Sequence, residues 1–363
     1  MADIRRTLHN AGMAHPGGLQ RRDILRAGGL GSAGMMLSAC ATPSAAAPAC
    51  GPDERLSPEY RQAVHSVGPG STLKGPSPDF GWQDPAENLK LLSRMWGTVE
   101  EGREAYLYVF GPAFGMLDAG HYVPLFRLES LAVVRTYPQP NGAYRYLARQ
   151  AILFTDFITN EVLDTWENPY TGETNEVFHY RDGPLDYVLD PNAFPERYAM
   201  ENADKMKRSL VLDWFHRGEW SFGDAIARTT LPNKLDPKEW PRASIGDTWE
   251  TFEVYRWQAR TDEMEDPDLP SIPSFIGDFQ TFKPWEPWML MGQTPGKIFS
   301  VRSTFKPDGL DGVPKHVVDY ISREMPDFLH APTAFDKSYK LNDAHYKEAR
   351  EPVLAPLPPI RRG

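Results

Sequence analysis

The chain has 363 residues, 41% of them hydrophobic, and its 39 basic and 49 acidic side chains leave a net charge of −10. An acidic surface without a basic cluster repels nucleic acid and anionic headgroups, which argues against a nucleic-acid function. Its only cysteines are Cys40 and Cys50, so residues 51–363 offer no thiolate for zinc, an iron–sulfur cluster or nucleophilic catalysis, and no disulfide.

Residues 1–47 read as targeting sequence. Arg21-Arg22 precede Ile24-Leu25 and a weakly apolar, glycine-rich stretch, "AGGLGSAGMMLSA". This has the pattern of a twin-arginine export signal and is too short and too weakly apolar for a membrane span. "LSAC" around Cys40 offers a lipobox, and the small residues through Ala47 offer ordinary cleavage; both exits stand open. The expected location is periplasmic, reached through the twin-arginine translocase, with any membrane anchorage through a lipid on Cys40. Residues 1–39 hold five arginines against two aspartates, so the remainder carries a net charge of about −13.

Residues 48–84 are a Pro/Gly-rich lead-in. A helix is expected from Asp84, which can cap it, with Pro85 in the first turn and Leu89, Leu92 and Trp96 on one face. From about residue 105 the period changes to two. Runs such as "AYLYVFG", "FRLESLAVVRTY", "TWETFEVYRWQAR" and "GKIFSVRSTFK" are rich in aromatic and β-branched residues and bounded by Pro, Gly, Asn and Asp. They predict a mainly β domain over 85–335, an antiparallel sheet that curls or closes in a barrel-like, lipocalin-like way, with a few peripheral helices. One of these is a short helix over 313–325. A Pro-rich tail, 336–363, follows.

"NPYTGE", residues 168–173, lies between "NEVLDTW" and "TNEVFHY". Pro169 and Gly172 suit a tight turn with a bulge. Pairing Glu167 with Thr174 places Val162, Asp164 and Trp166 on one face with Asn175, Val177 and His179. Leu153, Thr155 and Phe157 are expected to join that face. Asp164 and His179 are then diagonal neighbours, about 7–8 Å apart at the backbone. A carboxylate that holds an imidazole makes a general base, so these two are the candidate catalytic pair, against the alternative of a satisfied polar pair.

Trp166, Asn175, Asn168, Tyr170, His121 and Arg302 are the candidate substrate contacts. Asn168 and Tyr170 are placed at the rim, His121 at a strand mouth, and Arg302 as a carboxylate partner. "KPWEPWMLMG" reads first as hydrophobic core and second as an aromatic platform. No close pair of histidines signals a metal. No phosphate loop, dinucleotide fingerprint or GxSxG elbow is present, so no cofactor is expected.

The leader, the "DTWENPYTGE" box and "PWMLMGQTPGKIFSVRS" together resemble an uncharacterised bacterial exported family, a domain of unknown function. That resemblance implies export and one β-rich domain and brings no catalytic residues. The leading expectation is an exported enzyme acting on a small hydrophobic, aromatic molecule by acid–base chemistry, as a lyase, isomerase or hydrolase. The alternatives are a lipocalin-like carrier of a hydrophobic ligand and a structural envelope lipoprotein.

Overall fold

Residues 84–117, 121–192, 213–334 and 342–361 are described by a computed structural model of the protein. The arginine pair and both cysteines lie outside them. Helix α1, Pro85–Trp96, begins as the sequence predicts: the Asp84 carboxylate accepts from the Ala86 and Glu87 N–H groups at 2.7 and 3.1 Å. Its buried face is Leu89, Leu91, Leu92 and Met95.

Eleven strands follow: β1 (Glu104–Leu117), β2 (Val123–Pro138), β3 (Tyr144–Thr155), β4 (Thr165–Glu167), β5 (Thr174–Glu176), β6 (Tyr180–Leu189), β7 (Asp213–Arg217), β8 (Trp220–Pro232), β9 (Thr248–Arg260), β10 (Ile276–Lys283) and β11 (Gly296–Phe305). Nine form one antiparallel sheet in the order β6-β3-β2-β1-β11-β10-β9-β8-β7, and β4 pairs with β5 in a separate hairpin. Helices α2 (Lys315–Glu324) and α3 (Asn342–Ala349) come late in the chain.

The sheet is antiparallel as expected, but it is open, with β6 and β7 at its edges among the described residues. The reason lies in the long strands. Neighbouring positions such as Val133 and Val134, or Leu153 and Phe154, are both buried, so over β2 and β3 each face has its own apolar cover, and strands covered on both faces do not have to curl round one interior.

Three clusters supply that cover. On the first face, α1 packs with Val134, Tyr146, Tyr255 and Trp257. Further along the same face, Phe126, Phe154 and Ile298 meet Trp166, Tyr170, Trp285 and Trp288. On the second face, Tyr108, Leu131, Val133 and Leu153 pack under Val317 and Ile321 of α2. Strand register explains the split: Tyr108 pairs with Leu131 and Glu129 with Leu153, all pointing to the α2 side. The Pro-rich end is held in place. The Arg361 N–H donates to the Tyr170 carbonyl at 2.7 Å, and Ile360 packs into the tryptophan cluster.

Candidate functional site

The hairpin takes the predicted register, with Thr165 opposite Glu176, Trp166 opposite Asn175 and Glu167 opposite Thr174. Trp166, Asn175 and Val177 are buried against the tryptophan cluster, and His179 is buried between Phe154 and Tyr320. The neighbouring strand joins differently from expectation: Phe154, not Leu153, meets Trp166 in the tryptophan cluster, while Leu153 faces α2. The chain twists between Val162 and Trp166, which sequence periodicity does not register.

The turn closes through the Gly172 N–H to the Asn168 carbonyl, 2.7 Å, with Gly172 at φ +73°. Asn168 and Tyr170 are not at a rim. They are 0% and 3% exposed. The Asn168 amide donates to the Met289 carbonyl at 3.0 Å, and its oxygen accepts from the Tyr170 N–H at 2.9 Å. Asn175 donates to the same Met289 carbonyl at 2.8 Å, and the Trp166 indole N–H to the Leu125 carbonyl at 3.0 Å. The Tyr170 ring meets Trp285 edge-on at 5.4 Å. Beside the turn, buried Arg242 pairs with Glu173 at 2.5 Å. Asn168 and Asn175 tie the hairpin to residues 285–291 by hydrogen bonds to Met289, and the rings add aromatic packing, while the Tyr170 hydroxyl and the Trp288 indole N–H are buried without hydrogen-bond partners. "KPWEPWMLMG" is core, as its first reading had it.

His179 is buried, and its Nδ1 accepts from the Phe154 N–H at 3.1 Å. That bond fixes the proton on Nε2, which is buried without a hydrogen-bond partner. Burial pulls the imidazole down to about 4, against smaller opposing effects from the Leu163 backbone and the Asp164 charge. Asp164 is exposed and makes no hydrogen bond or ion pair with His179. The two flank the hairpin outside its paired strands, and the carboxylate does not hold the ring. His121 is exposed just before β2. Arg302, on β11, donates to the Thr281 hydroxyl at 2.6 Å and lies 4.1 Å from the Phe279 ring centroid.

The structure assembles a different constellation beneath α2. Glu129, 2% exposed, stands mid-strand on β2. Its Oε2 accepts from the Tyr108 hydroxyl at 2.5 Å and lies 3.1 Å from His316 Nε2. Asn160 Nδ2 approaches the same imidazole nitrogen at 3.3 Å, from a turn where Asn160 takes φ +63°. The turn is set by Asp156, whose carboxylate accepts from the Ile158 and Thr159 N–H groups. Burial, then Glu129, pushes the Tyr108 hydroxyl well above its ordinary value, so it stays a donor.

A carboxylate on Nε2 leaves the His316 Nδ1 lone pair as the basic atom, and the His316 side chain is 36% exposed. One helical turn on, Tyr320 stacks edge-on against His179 at 4.9 Å. One face of α2 therefore carries His316 and, through Tyr320, meets His179. Sequence reasoning passed over Glu129 and His316. The available signal was an acid in phase with Leu131 and Val133 in "FRLESLAVV", and a histidine one turn before a tyrosine in "KHVVDY".

Among the described residues no three His, Cys, Asp or Glu side chains gather as a metal ion would require, and no helix is long and apolar enough to cross a membrane. Fold and site together define a mainly β protein with an open antiparallel sheet and, on one face, a buried carboxylate paired with a half-exposed imidazole. A family model described as "Protein of unknown function (DUF1838)" matches residues 102–347. The chain belongs to that family, and the match spans every strand of the sheet. No curated protein matches the chain.

Proposed function

We propose that the protein is an enzyme that acts on a small hydrophobic molecule by acid–base chemistry, with Glu129 and His316 as the working pair. The observation that carries this is the single Glu129 oxygen, buried and shared between Tyr108 and His316, with the imidazole reaching solvent. His316 Nδ1 takes a proton from water or from an acidic C–H of the substrate. Glu129 holds the imidazolium that forms, and Nδ1 returns the proton to the leaving atom. The reaction class is a hydrolysis, elimination or isomerisation, and aryl esters and enolisable aryl ketones are the compounds to try. Export by the twin-arginine route to the periplasm, with lipid attachment at Cys40 or cleavage after Ala47, is part of the same proposal and rests on the leader sequence.

The test is turnover of an aryl ester panel, with deuterium incorporation into aryl ketones in heavy water as a second readout. His316→Ala and Glu129→Gln are each expected to lower turnover by about 10²–10⁴-fold while the melting temperature holds. Undiminished turnover in both variants sinks the reading. Hydrophobic binding without turnover by the wild type instead favours a lipocalin-like carrier, the second reading, for which the exposed aromatic row described below is the specific support.

A further inference from the structure

The half of the second face that α2 does not cover carries a row of phenylalanines. In register across four adjacent strands, Phe114 on β1 pairs with Phe299 on β11, Phe299 with Phe282 on β10, and Phe282 with Phe252 on β9. Neighbouring rings touch, 4.6 Å between Phe282 and Phe299 and 6.4 Å between Phe252 and Phe282. Tyr122 bridges Phe114 and Phe299 at 6.4 and 6.0 Å, and Phe157 closes the near end on Phe114 at 5.6 Å. With strands about 4.8 Å apart, the four-strand row is about 14 Å long.

The row is half-buried, with Phe252 and Tyr122 its exposed members. Large hydrophobic side chains exposed among the described residues include Phe252 at 40%, Val301 at 38%, Tyr122 at 58% and Ile158 at 90%. Phe252 and Tyr122 belong to the row, Val301 is on the same face two residues from Phe299, and Ile158 follows Phe157. Apolar side chains concentrated on one face mark a binding surface. A shallow depression of about 250 Å³, lined in part by Trp285, Thr294, Lys297 and Glu250, opens at the strand ends beside it.

The row leads to the candidate site. Phe110, opposite Glu129 in the β1–β2 register, and Phe114 point to the same face four residues apart. The turn that supplies Phe157 to the row also supplies Asn160 to His316. At the far end Arg228, opposite Phe252, pairs with Glu250, and Lys297 lies 3.9 Å from the same carboxylate. Both cations share the one Glu250 carboxylate, so this end keeps a single unmatched positive charge.

We infer that the row Phe157–Phe114–Tyr122–Phe299–Phe282–Phe252 is a track for the hydrocarbon or aryl tail of an elongated substrate, whose reactive end it delivers to His316. The inference rests on the acid–base reading for its second half, while tail binding stands independently. An uncharged tail loses no hydration on leaving water and gains contact with a preformed row of rings.

The experiment is titration of the full chain with N-phenyl-1-naphthylamine, a neutral aryl probe that brightens in apolar surroundings, followed by displacement with dodecanol. The wild type is expected to bind the probe and release it to the alcohol. Phe252→Ser and Phe282→Ser are each expected to weaken binding at least fivefold. Phe252→Lys, at the most exposed ring of the four, supplies a second variant whose folding is not at risk. His316→Asn is expected to leave probe affinity unchanged, so loss of turnover there with binding intact separates the track from the catalytic assignment. Probe affinity unmoved by Phe252→Lys and Phe252→Ser overturns the track. A dimer in sedimentation that Phe252→Lys dissolves also overturns it, by assigning the row to a second copy of the chain.

Discussion

The NPYTGE hairpin and the seam beneath α2 both bury polar side chains, and they use them to opposite ends. In the hairpin the polar side chains point inward as ties: Asn168 and Asn175 converge on the Met289 carbonyl, and Trp166 and Tyr170 fill the tryptophan cluster, the Tyr170 hydroxyl being buried there without a hydrogen-bond partner. In the seam a buried carboxylate grips a histidine whose side chain reaches solvent. A conspicuous sequence box can thus be conspicuous for stability, since a four-residue turn packed under a C-terminal strap has few solutions. The groups with chemical potential sit in strand and helix contexts that look ordinary in one dimension.

The largest test of this contrast is Asn168→Ala. It orphans the buried Tyr170 N–H and removes one donor from Met289, and is expected to cost about 3 kcal/mol in chemical denaturation. A cost under about 1 kcal/mol would break the view of the box as a structural tie.

His179 gives the next largest effect. Its folded value, about 4, lies below the ordinary 6.5. Between the two, the unfolded chain binds a proton that the folded chain refuses, so stability falls as pH drops from about 6.5 towards 4, by up to about 3 kcal/mol. His179→Gln should flatten that slope in urea titrations at a series of pH values, and an unchanged slope would place the titration elsewhere. Asp182 acts in the opposite sense. Burial, partly offset by the Asn342 amide at 2.7 Å, raises its carboxyl from 3.8 to about 7. Here the folded chain holds a proton that the unfolded chain releases, so stability falls as pH rises from about 4 to 7, and Asp182→Asn should remove that fall.

Gly172→Ala is expected to cost about 1–2 kcal/mol. The glycine sits at φ +73°, and a Cβ there would stand 2.0 Å from the Arg361 side chain. Arg361→Ala should recover the clash but not the backbone strain, so the double variant measures how tightly the strap is seated on the box. The smallest change in stability should come from Glu129→Gln, within about 1 kcal/mol, because an amide oxygen still accepts from Tyr108. If that variant instead unfolds the protein, the seam is as structural as the hairpin and the contrast disappears.

Much of the local structure was legible from the chain. Asp84 and Pro85 announced α1, and alternation announced the strands. Pro169 and Gly172 pinned a register that put Asn175, Val177 and His179 on the buried side. These are consequences of φ restrictions and side-chain periods acting over a few residues. The Asp164–His179 pairing does not form because register does not fix depth: Asp164 is exposed, whereas His179 is buried with its Nδ1 on the Phe154 N–H.

The sequence by itself determined that the body is β-rich, free of cysteine and acidic, and that a tight turn joins β4 to β5. The tertiary structure alone decided that the sheet stays open, that Asn168 and Tyr170 point into the core, and that Glu129 meets His316, 187 residues away. Turn chemistry and periodicity are written in neighbouring residues. The meeting of a β2 carboxylate with an α2 imidazole depends on how a helix beyond the last strand folds back over the sheet, and no local propensity encodes that contact.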